Sequence, residues 1–231
     1  MQEYRDNKEV FLQIEKIVKE KINVIIKTNN FNIMSVESRI KEEKSLEGKL
    51  NLKGDKYDAL GDITDILGLR IITFFEDTVD EVAKVIEQEF IIDYENSVDK
   101  RALLDPDTFG YLSLHYICSI KGDYPEELLN KRFEIQIRSI LQHTWSAIYH
   151  DLGYKTSVAV PREIKRNFAR IAGLLELADN EFVEIREDLA SYAKQVEEKT
   201  ATGDVQDLSL NAVTLDAYMK QSFMQQLLAQ L

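Results

Sequence analysis

Two stretches in which apolar and polar residues alternate place the strongest constraint on the fold of this chain. Residues 132–138 read RFEIQIR, and residues 111–120 read YLSLHYICSI. Successive side chains of a β-strand point to opposite faces, so this alternation predicts strands with one apolar face. A third stretch, residues 68–75, is short and rich in Ile and Phe, which predicts a buried strand. The chain is therefore expected to contain a sheet.

Helical periodicity surrounds these strands. Apolar residues recur at spacings of three and four between Val10 and Ile22, and Asn29-Asn30 breaks this pattern. Further helices are predicted at about residues 34–46, 77–89, 139–150 and 161–199, with a short strand at 90–94 and a loop at 96–110. A last amphipathic helix carries an apolar stripe, Met224, Leu227, Leu228 and Leu231. This order predicts an α+β fold, a mixed sheet flanked by helices.

Charge and composition exclude several classes of protein. The 41 acidic and 29 basic residues give a net charge of −12, which argues against a broad DNA-binding surface but not against a small basic pocket for a polyphosphate. No apolar run approaches the roughly 20 residues of a membrane span. The single cysteine, Cys118, rules out an internal disulfide framework. We therefore expect a cytoplasmic protein with no membrane or DNA partner.

Polar residues in the predicted core strands are the first candidates for chemistry. Asp65 immediately precedes an apolar stretch, and Glu134, Gln136 and Arg138 share one face of their strand. A buried carboxylate needs a partner, and a metal ion is one option; a solvated sheet face is the alternative. Two carboxylates would suit Mg²⁺, which takes one or two and leaves room for substrate phosphates.

A mixed-charge run and the 111–120 strand add further candidates. Arg39 and Lys41 begin a run of basic residues interleaved with acids, a pattern that usually forms a solvated helix face. In the predicted helix they would project to different sides. Tyr111, Ser113 and His115 share one strand face, where they could stack on and hydrogen-bond a nucleobase, with packing as the alternative.

Taken together, these pieces resemble the RelA/SpoT synthetase family, the enzymes that make the alarmones (p)ppGpp. Any one motif is weak, but five in order are specific. The resemblance covers about residues 39–155, and residues 161–199 look like the helical tail of small stand-alone members. The motifs are Arg39-x-Lys41 with Ser45 and Lys49, Asp65-x-x-Gly68-x-Arg70, Gly110-Tyr111-x-Ser113-x-His115, Glu134-x-Gln136-x-Arg138 and His150-x-x-x-Tyr154-Lys155.

The resemblance implies a nucleotidyltransferase-like sheet in a synthetase domain, residues 1–155. A helical extension, residues 156–231, would pack on this domain or on a partner. It also implies transfer of pyrophosphate from ATP to the 3′-hydroxyl of GDP or GTP. By this resemblance Asp65 and Glu134 would be catalytic and would bind Mg²⁺. The ATP-binding residues would be Arg39, Lys41, Ser45, Lys49 and Arg70, and the acceptor-binding residues Tyr111, Ser113, His115, Gln136, Arg138 and His143.

Two departures from the family pattern bear on the acceptor. Leu112 stands where Gln or Arg is common, and Lys44 stands where an aromatic residue often precedes Ser45. Some similar proteins are toxins that pyrophosphorylate the 3′-CCA end of tRNA, and a catalytically silent nucleotide-binding regulator is another alternative. The acidic net charge favours GDP or GTP, and the intact Asp65 and Glu134 argue against a silent regulator. An antitoxin or a second copy of the chain remains an open partner.

Overall fold

The computed structural model of the chain describes residues 2–53, 62–101, 113–154, 161–204, 206–220 and 224. Within these ranges the helices are α1 (Gln2–Thr28), α2 (Glu43–Lys53), α3 (Asp77–Glu89), α4 (Glu126–Leu129), α5 (Ile140–Tyr154), α6 (Arg162–Thr202) and α7 (Ala212–Met219). The strands are β1 (Ile33–Ile40), β2 (Leu67–Thr73), β3 (Phe90–Ile92), β4 (Val98–Asp99), β5 (Leu114–Ile120) and β6 (Phe133–Ser139).

The strands form one mixed sheet in the order β1-β2-β6-β5-β3, and β4 also pairs with β5. β2 and β6 are parallel, whereas the other pairs are antiparallel. The register places Gly68 beside Glu134 and Arg70 beside Gln136, and His115 lies opposite Gln136. This register confirms the predicted α+β fold and brings polar residues of three strands onto one face.

The apolar face of the sheet forms the core. Phe133, Ile135 and Ile137 alternate with the polar residues of β6 and are fully buried. Helices α1 and α3 pack their apolar stripes into the same core cluster, for example through Ile14 and Val82. Both helices repeat apolar residues every three or four positions, so one side of each can cover the sheet. The polar face is left free for a site.

The prediction of a helix over residues 34–46 is wrong in its first half. Residues 33–40 form the edge strand β1, which pairs with β2 from Ile33 opposite Thr73 to Ile40 opposite Leu67. The Lys41 backbone N–H continues this pairing by donating to Ile66 O at 2.8 Å. Hydrogen bonds to a distant strand outweigh the weak local helical pattern here. As a consequence, Arg39 and Lys41 lie on the same side of the sheet.

The remaining differences from the predicted elements are small. A two-residue strand, β4, lies within the loop predicted over 96–110, and the short helix α4 was not predicted. So short an element carries too few residues to show a period. Most of the terminal apolar stripe and residues 102–110 lie outside the described part of the chain. Among the described residues, no helix has the length and apolarity required to cross a membrane.

The chain divides into two compact units, Met1–Asp179 and Asn180–Leu231. The first unit contains the sheet and α1 to α5. In the second, α6 ends near Gly203, whose positive φ of 77° favours glycine. Asn211 then caps α7 by accepting hydrogen bonds from the backbone N–H groups of Val213 and Thr214, at 2.9 and 3.0 Å. The predicted domain boundary at residues 155/156 stays a prediction.

Candidate active site

Glu134 on β6 is held through both of its carboxylate oxygens. His115 Nδ1 lies 2.7 Å from Oε1, and Gln136 Nε2 donates to Oε2 at 2.8 Å. Ser113 Oγ lies 2.7 Å from His115 Nε2, so the tautomer with a proton on Nδ1 satisfies both contacts of the ring. Arg138 in turn donates to the side-chain oxygen of Gln136. The side chains on β5 and β6 therefore form one connected polar network.

This network keeps Glu134 ionised although its side chain is only 17 % exposed. Burial by itself would raise the pKa of the carboxyl, but the interaction with His115 and the hydrogen bond from Gln136 outweigh burial. The pKa of Glu134 is therefore below its usual value. The negative charge of Asp65 acts in the opposite direction, which shows that the two carboxylates are electrostatic neighbours.

Asp65 is paired with Lys41. The Lys41 ammonium donates to Asp65 Oδ2 at 2.6 Å, and the two side chains are 14 % and 27 % exposed. The backbone carbonyl of Lys41 accepts a 2.6 Å hydrogen bond from the hydroxyl of Tyr4 on α1, and this contact also helps to fix the position of Lys41. A helix at the start of the chain thus supports a residue of the site.

The two carboxylates face one cavity of about 490 Å³, which we call the carboxylate cavity. At its rim, Arg70 Nη1 donates to Glu37 Oε2 at 3.0 Å. The cavity is lined by Glu37, Ser38, Arg39, Lys41, Asp65, Gly68, Leu69, Arg70, Glu134 and Gln136. Acidic and basic side chains therefore line the same space, which is large enough for a nucleotide.

A second cavity of about 560 Å³, the cationic cavity, shares Arg39, Arg70 and Gln136 with the first. Four of its lining residues are Arg or Lys, and Asp151 is the acid among the described ones. The other lining residues are Lys100, Ser113, His115, Arg138, Gln142, His143, Ser146, Ala147 and His150. The two cavities therefore meet along a border formed by β1, β2 and β6.

The cations of this second cavity repel one another. Burial and the charge of Arg70 lower the pKa of Arg138 to about 10. Burial and the charges of Arg70 and Arg138 also lower the pKa of His143. Buried like charges favour a ligand of opposite sign, because such a ligand relieves both the repulsion and the lost hydration. The cationic cavity is therefore suited to an anion.

Comparison with known families shows to which family the chain belongs. Residues 38–159 match the family model of the region found in RelA and SpoT proteins, which is more than half of the chain. The chain belongs to the RelA/SpoT family. The matched region contains Asp65, Glu134 and Asp151 of the two cavities and ends shortly after α5.

Named relatives agree with this RelA/SpoT assignment. The GTP pyrophosphokinase YwaC of Bacillus subtilis strain 168 is 27 % identical over 176 residues, which cover 75 % of this chain and 82 % of that protein. The GTP pyrophosphokinase YjbM of the same strain is 30 % identical over 158 residues, covering 65 % and 71 %.

A solved structure shares the fold. The small alarmone synthetase 1 of Bacillus subtilis, bound to its product pppGpp, aligns with a TM-score of 0.68 and 25 % identity. The alignment covers 82 % of this chain and 100 % of that chain. The mixed sheet flanked by helices is therefore the fold of the RelA/SpoT small alarmone synthetases.

Ten of the thirteen predicted RelA/SpoT site residues line the two cavities, namely Arg39, Lys41, Asp65, Arg70, Ser113, His115, Glu134, Gln136, Arg138 and His143. Ser45 lies exposed on α2 and is not among the described lining residues. Tyr111 and the side chain of Lys49 lie outside the described residues. The solvated face that was the alternative for Glu134 and its neighbours is ruled out by burial, since Arg138 is only 5 % exposed.

Sequence reasoning missed several residues of this RelA/SpoT site. Glu37 could have been found, because it precedes Arg39 by two positions and shares its face once β1 is recognised as a strand. Tyr4 and Lys100 carry no local signal. Tyr4 reaches Lys41 across 37 positions, and Lys100 depends on the pairing of β4 with β5.

Proposed function

We propose that this chain is a GTP pyrophosphokinase that transfers pyrophosphate from ATP to the 3′-hydroxyl of GDP or GTP, producing (p)ppGpp. One observation carries the proposal: two cavities that each contain Arg or Lys side chains meet at Arg39, Arg70 and Gln136, and Glu134 lies beside their border. The reaction needs two anionic nucleotides side by side and a carboxylate near the group transferred. Relatives named GTP pyrophosphokinase support the same reaction.

We assign ATP to the carboxylate cavity. Arg39 and Arg70 offer planar guanidinium groups to the adenine ring, and Lys41 offers a charge to the phosphates. Ser45 and Lys49 on α2 are assigned to the ATP phosphates by the family motif alone.

The acceptor nucleotide is assigned to the cationic cavity. Ser113, His115, Gln136, Arg138 and His143 face it from β5, β6 and α5. Tyr111 is assigned to stacking on the guanine by its motif.

We further propose that Asp65 and Glu134 hold a Mg²⁺ ion. The two carboxylates line one cavity, and the charge of Asp65 disfavours the ionised form of Glu134 although the pKa of Glu134 is lowered overall, so a shared cation would relieve their repulsion. Magnesium uses oxygen ligands and commonly one or two carboxylates together with substrate phosphates, which fits this donor set. The bound ion would neutralise the negative charge of the transferring phosphates.

In the proposed reaction the 3′-oxygen of the acceptor attacks the β-phosphorus of ATP in line with the departing oxygen. The new bond joins the 3′-oxygen to the β-phosphorus, the bond between this phosphorus and the α,β-bridging oxygen breaks, and AMP leaves. The acceptor hydroxyl gives up its proton to the Glu134 carboxylate, which passes it on to solvent. The network around Glu134 keeps this carboxylate ionised, which is the state needed both to bind a cation and to orient a hydroxyl proton.

The test is to incubate the full chain and Mg²⁺ with ATP labelled on the γ-phosphate, adding GDP, GTP or deacylated tRNA in separate reactions. We expect labelled guanosine tetra- or pentaphosphate and one AMP released per product. The proposal fails if neither GDP nor GTP is labelled under conditions where tRNA is, or if no acceptor is labelled at all.

A further inference from the structure

The turn from β6 into α5 is closed by two reciprocal hydrogen bonds. Ser139, the last residue of β6, is the N-cap of α5, and its hydroxyl accepts a hydrogen bond from the backbone N–H of Gln142 at 3.1 Å. The side chain of Gln142 in return accepts one from the backbone N–H of Ser139 at 2.9 Å. Both residues are buried. This arrangement is a capping box, which satisfies two backbone donors and fixes where the helix begins.

Asp179, on the following helix α6, holds this capping box through a third hydrogen bond. Ser139 Oγ donates to Asp179 Oδ2 at 2.5 Å, and Asp179 is fully buried. Because this bond uses the hydroxyl proton, the lone pairs of Oγ remain available to the N–H of Gln142. A carboxylate beside the first turn of a helix is also stabilised by the partial positive charge at that end. A residue 40 positions along the chain therefore fixes the start of α5.

The start of α5 matters because this helix forms one wall of the cationic cavity. Arg138 lies directly before the capping box and faces the cavity from β6, and His143 follows it and faces the cavity from α5. The other α5 residues that line the cavity are Gln142, Ser146, Ala147, His150 and Asp151. None of the described lining residues of the carboxylate cavity comes from α5. A change in the angle between β6 and α5 would therefore alter the acceptor cavity and leave the ATP cavity intact.

We propose that Asp179 is a positioning residue for the acceptor nucleotide. Through Ser139 it holds α5 at the angle to β6 at which Arg138 and His143 both face that nucleotide. This inference rests on the proposed function, because it concerns the acceptor of that reaction. Asp179 is not among the described lining residues of either cavity, so it acts through the capping box and not by touching the substrate.

The test compares Asp179→Ala, which removes the acceptor for the Ser139 hydroxyl, with Asp179→Asn, which keeps a side-chain oxygen in its place. KM and kcat are measured for GDP and for ATP well below the melting temperature of each variant. A misplacement of about 1 Å in groups that orient a substrate can cost about 100-fold, so we expect Asp179→Ala to lower kcat/KM for GDP by about 10-fold or more and to change the KM for ATP by less than about 2-fold. The asparagine variant should stay within about 3-fold of the wild type for both nucleotides, because its amide oxygen can accept the same bond.

Ser139→Ala removes the capping oxygen itself, and it should reproduce the weaker use of GDP. The double variant Ser139→Ala/Asp179→Ala should use GDP no less well than Ser139→Ala alone, because two residues that act through one contact do not have additive effects. If Asp179→Ala does not fold, Ser139→Ala and Asp179→Asn decide the proposal by the same two KM values.

Thr200→Ala is the matched control, since Thr200 is a buried polar residue of the same helix whose hydroxyl donates to Val196 O within that helix. It should lower the melting temperature without changing the KM for either nucleotide. Equal rises in the KM for GDP and ATP, a lower melting temperature with unchanged kinetics, or additive effects in the double variant would overturn the positioning role of Asp179. A wild-type chain that labels no guanosine nucleotide would instead overturn the proposed function, so the two failures are distinguishable.

Discussion

Glu134 shows how single side chains set the charge state of the site. Its carboxyl is largely buried, which disfavours the ionised form. His115 and Gln136 each satisfy one oxygen, and together they make the ionised form the stable one. The carboxylate is therefore both charged and fixed in orientation before any substrate arrives, which reduces the reorganisation needed during the reaction.

We predict that Glu134→Gln folds but loses nearly all transfer, with kcat reduced by about 100-fold or more, as when a preorganised charged group is removed from an active site. The amide can still accept a hydrogen bond from Gln136 and can donate to His115 if the ring changes its tautomer, so the network survives. AMP release and the melting temperature are the two measurements.

Glu126→Gln serves as the control for this substitution, since Glu126 lies exposed on α4. The control should behave as the wild type in both assays. A Glu134→Gln enzyme with a near-native kcat would show that the carboxylate charge plays no part in the reaction.

At the scale of secondary-structure elements, α1 supports the site although none of its described side chains lines either cavity. Tyr4 is 4 % exposed, and its hydroxyl holds the carbonyl of Lys41 at 2.6 Å. Lys41 is thereby fixed through its carbonyl by α1 and through its N–H by Ile66, the residue before β2. Removing the hydroxyl leaves a part-buried carbonyl without this donor.

We therefore predict that Tyr4→Phe lowers the free energy of unfolding by about 1 kcal/mol and raises the KM for ATP while leaving the KM for GDP unchanged. Denaturant unfolding and steady-state kinetics with each nucleotide would measure these effects. Tyr124→Phe, on the loop before α4, is a matched control that should leave the KM for ATP unchanged. If Tyr4→Phe altered stability alone, the link between α1 and Lys41 would be purely structural.

A second element-level feature is an acidic junction where the end of β6 and the starts of α3 and α5 meet the middle of α6. Ser139 Oγ donates to the fully buried Asp179 Oδ2 at 2.5 Å, and Gln142 Nε2 donates to Glu76 Oε1 at 3.5 Å. Burial and the charge of Asp179 raise the pKa of Glu76. The folded state therefore retains the Glu76 proton at a pH where the unfolded chain has lost it.

The raised pKa of Glu76 predicts the direction in which the free energy of unfolding changes with pH. Between the unfolded and the folded pKa of Glu76 the unfolded state binds fewer protons, so the unfolding free energy falls as pH rises from about 4.5 through the raised folded value. Glu76→Gln removes this loss and still accepts a hydrogen bond from Gln142. We expect the variant to melt a few degrees above the wild type at pH 8, with a smaller difference at pH 4.

Melting curves of both proteins between pH 4 and pH 8 are the measurement. Glu81→Gln, an exposed change on the same helix α3, is the control and should not show the same trend. A constant difference between Glu76→Gln and the wild type across this pH range would contradict the prediction.

At the scale of the whole molecule, the chain has a net charge of −12, whereas the cationic cavity is lined by four Arg or Lys residues. The overall charge repels long polyanions, whereas the local cations attract a short one that fits inside. Charges in an enclosed cavity are also screened less by salt than charges on an open surface. A free nucleotide is therefore the better-matched acceptor.

We predict that kcat/KM for GDP falls by less than about 10-fold between 50 and 200 mM salt, because the mononucleotide has few phosphates and is held inside a cavity. Initial rates of (p)ppGpp formation at several salt concentrations would test this. A loss of about 10³-fold, as expected of a protein with many contacts along a nucleic-acid backbone, together with efficient labelling of tRNA, would instead favour the tRNA acceptor.

The sequence by itself determined the elements that a pattern of neighbouring residues predicts. The alternation through Phe133, Glu134 and Ile135 predicts β6 and its polar face, because the two-residue period of a strand follows from backbone geometry. The apolar spacing over Asp77–Glu89 predicts α3 with the bounds that the structure shows. The order of the motifs predicts the family, because each motif is contiguous along the chain.

Tertiary structure decided what depends on partners distant in sequence. Residues 33–40 become a strand because β2 offers them hydrogen bonds, and this pairing places Arg39 and Lys41 on one side of the sheet. Tyr4 meets Lys41, and Lys100 meets Ser113, only through packing and strand pairing. The lowered pKa of Glu134 likewise arises from burial and from His115 on another strand. Such contacts join segments that carry no signal of one another, so only the folded chain brings them together.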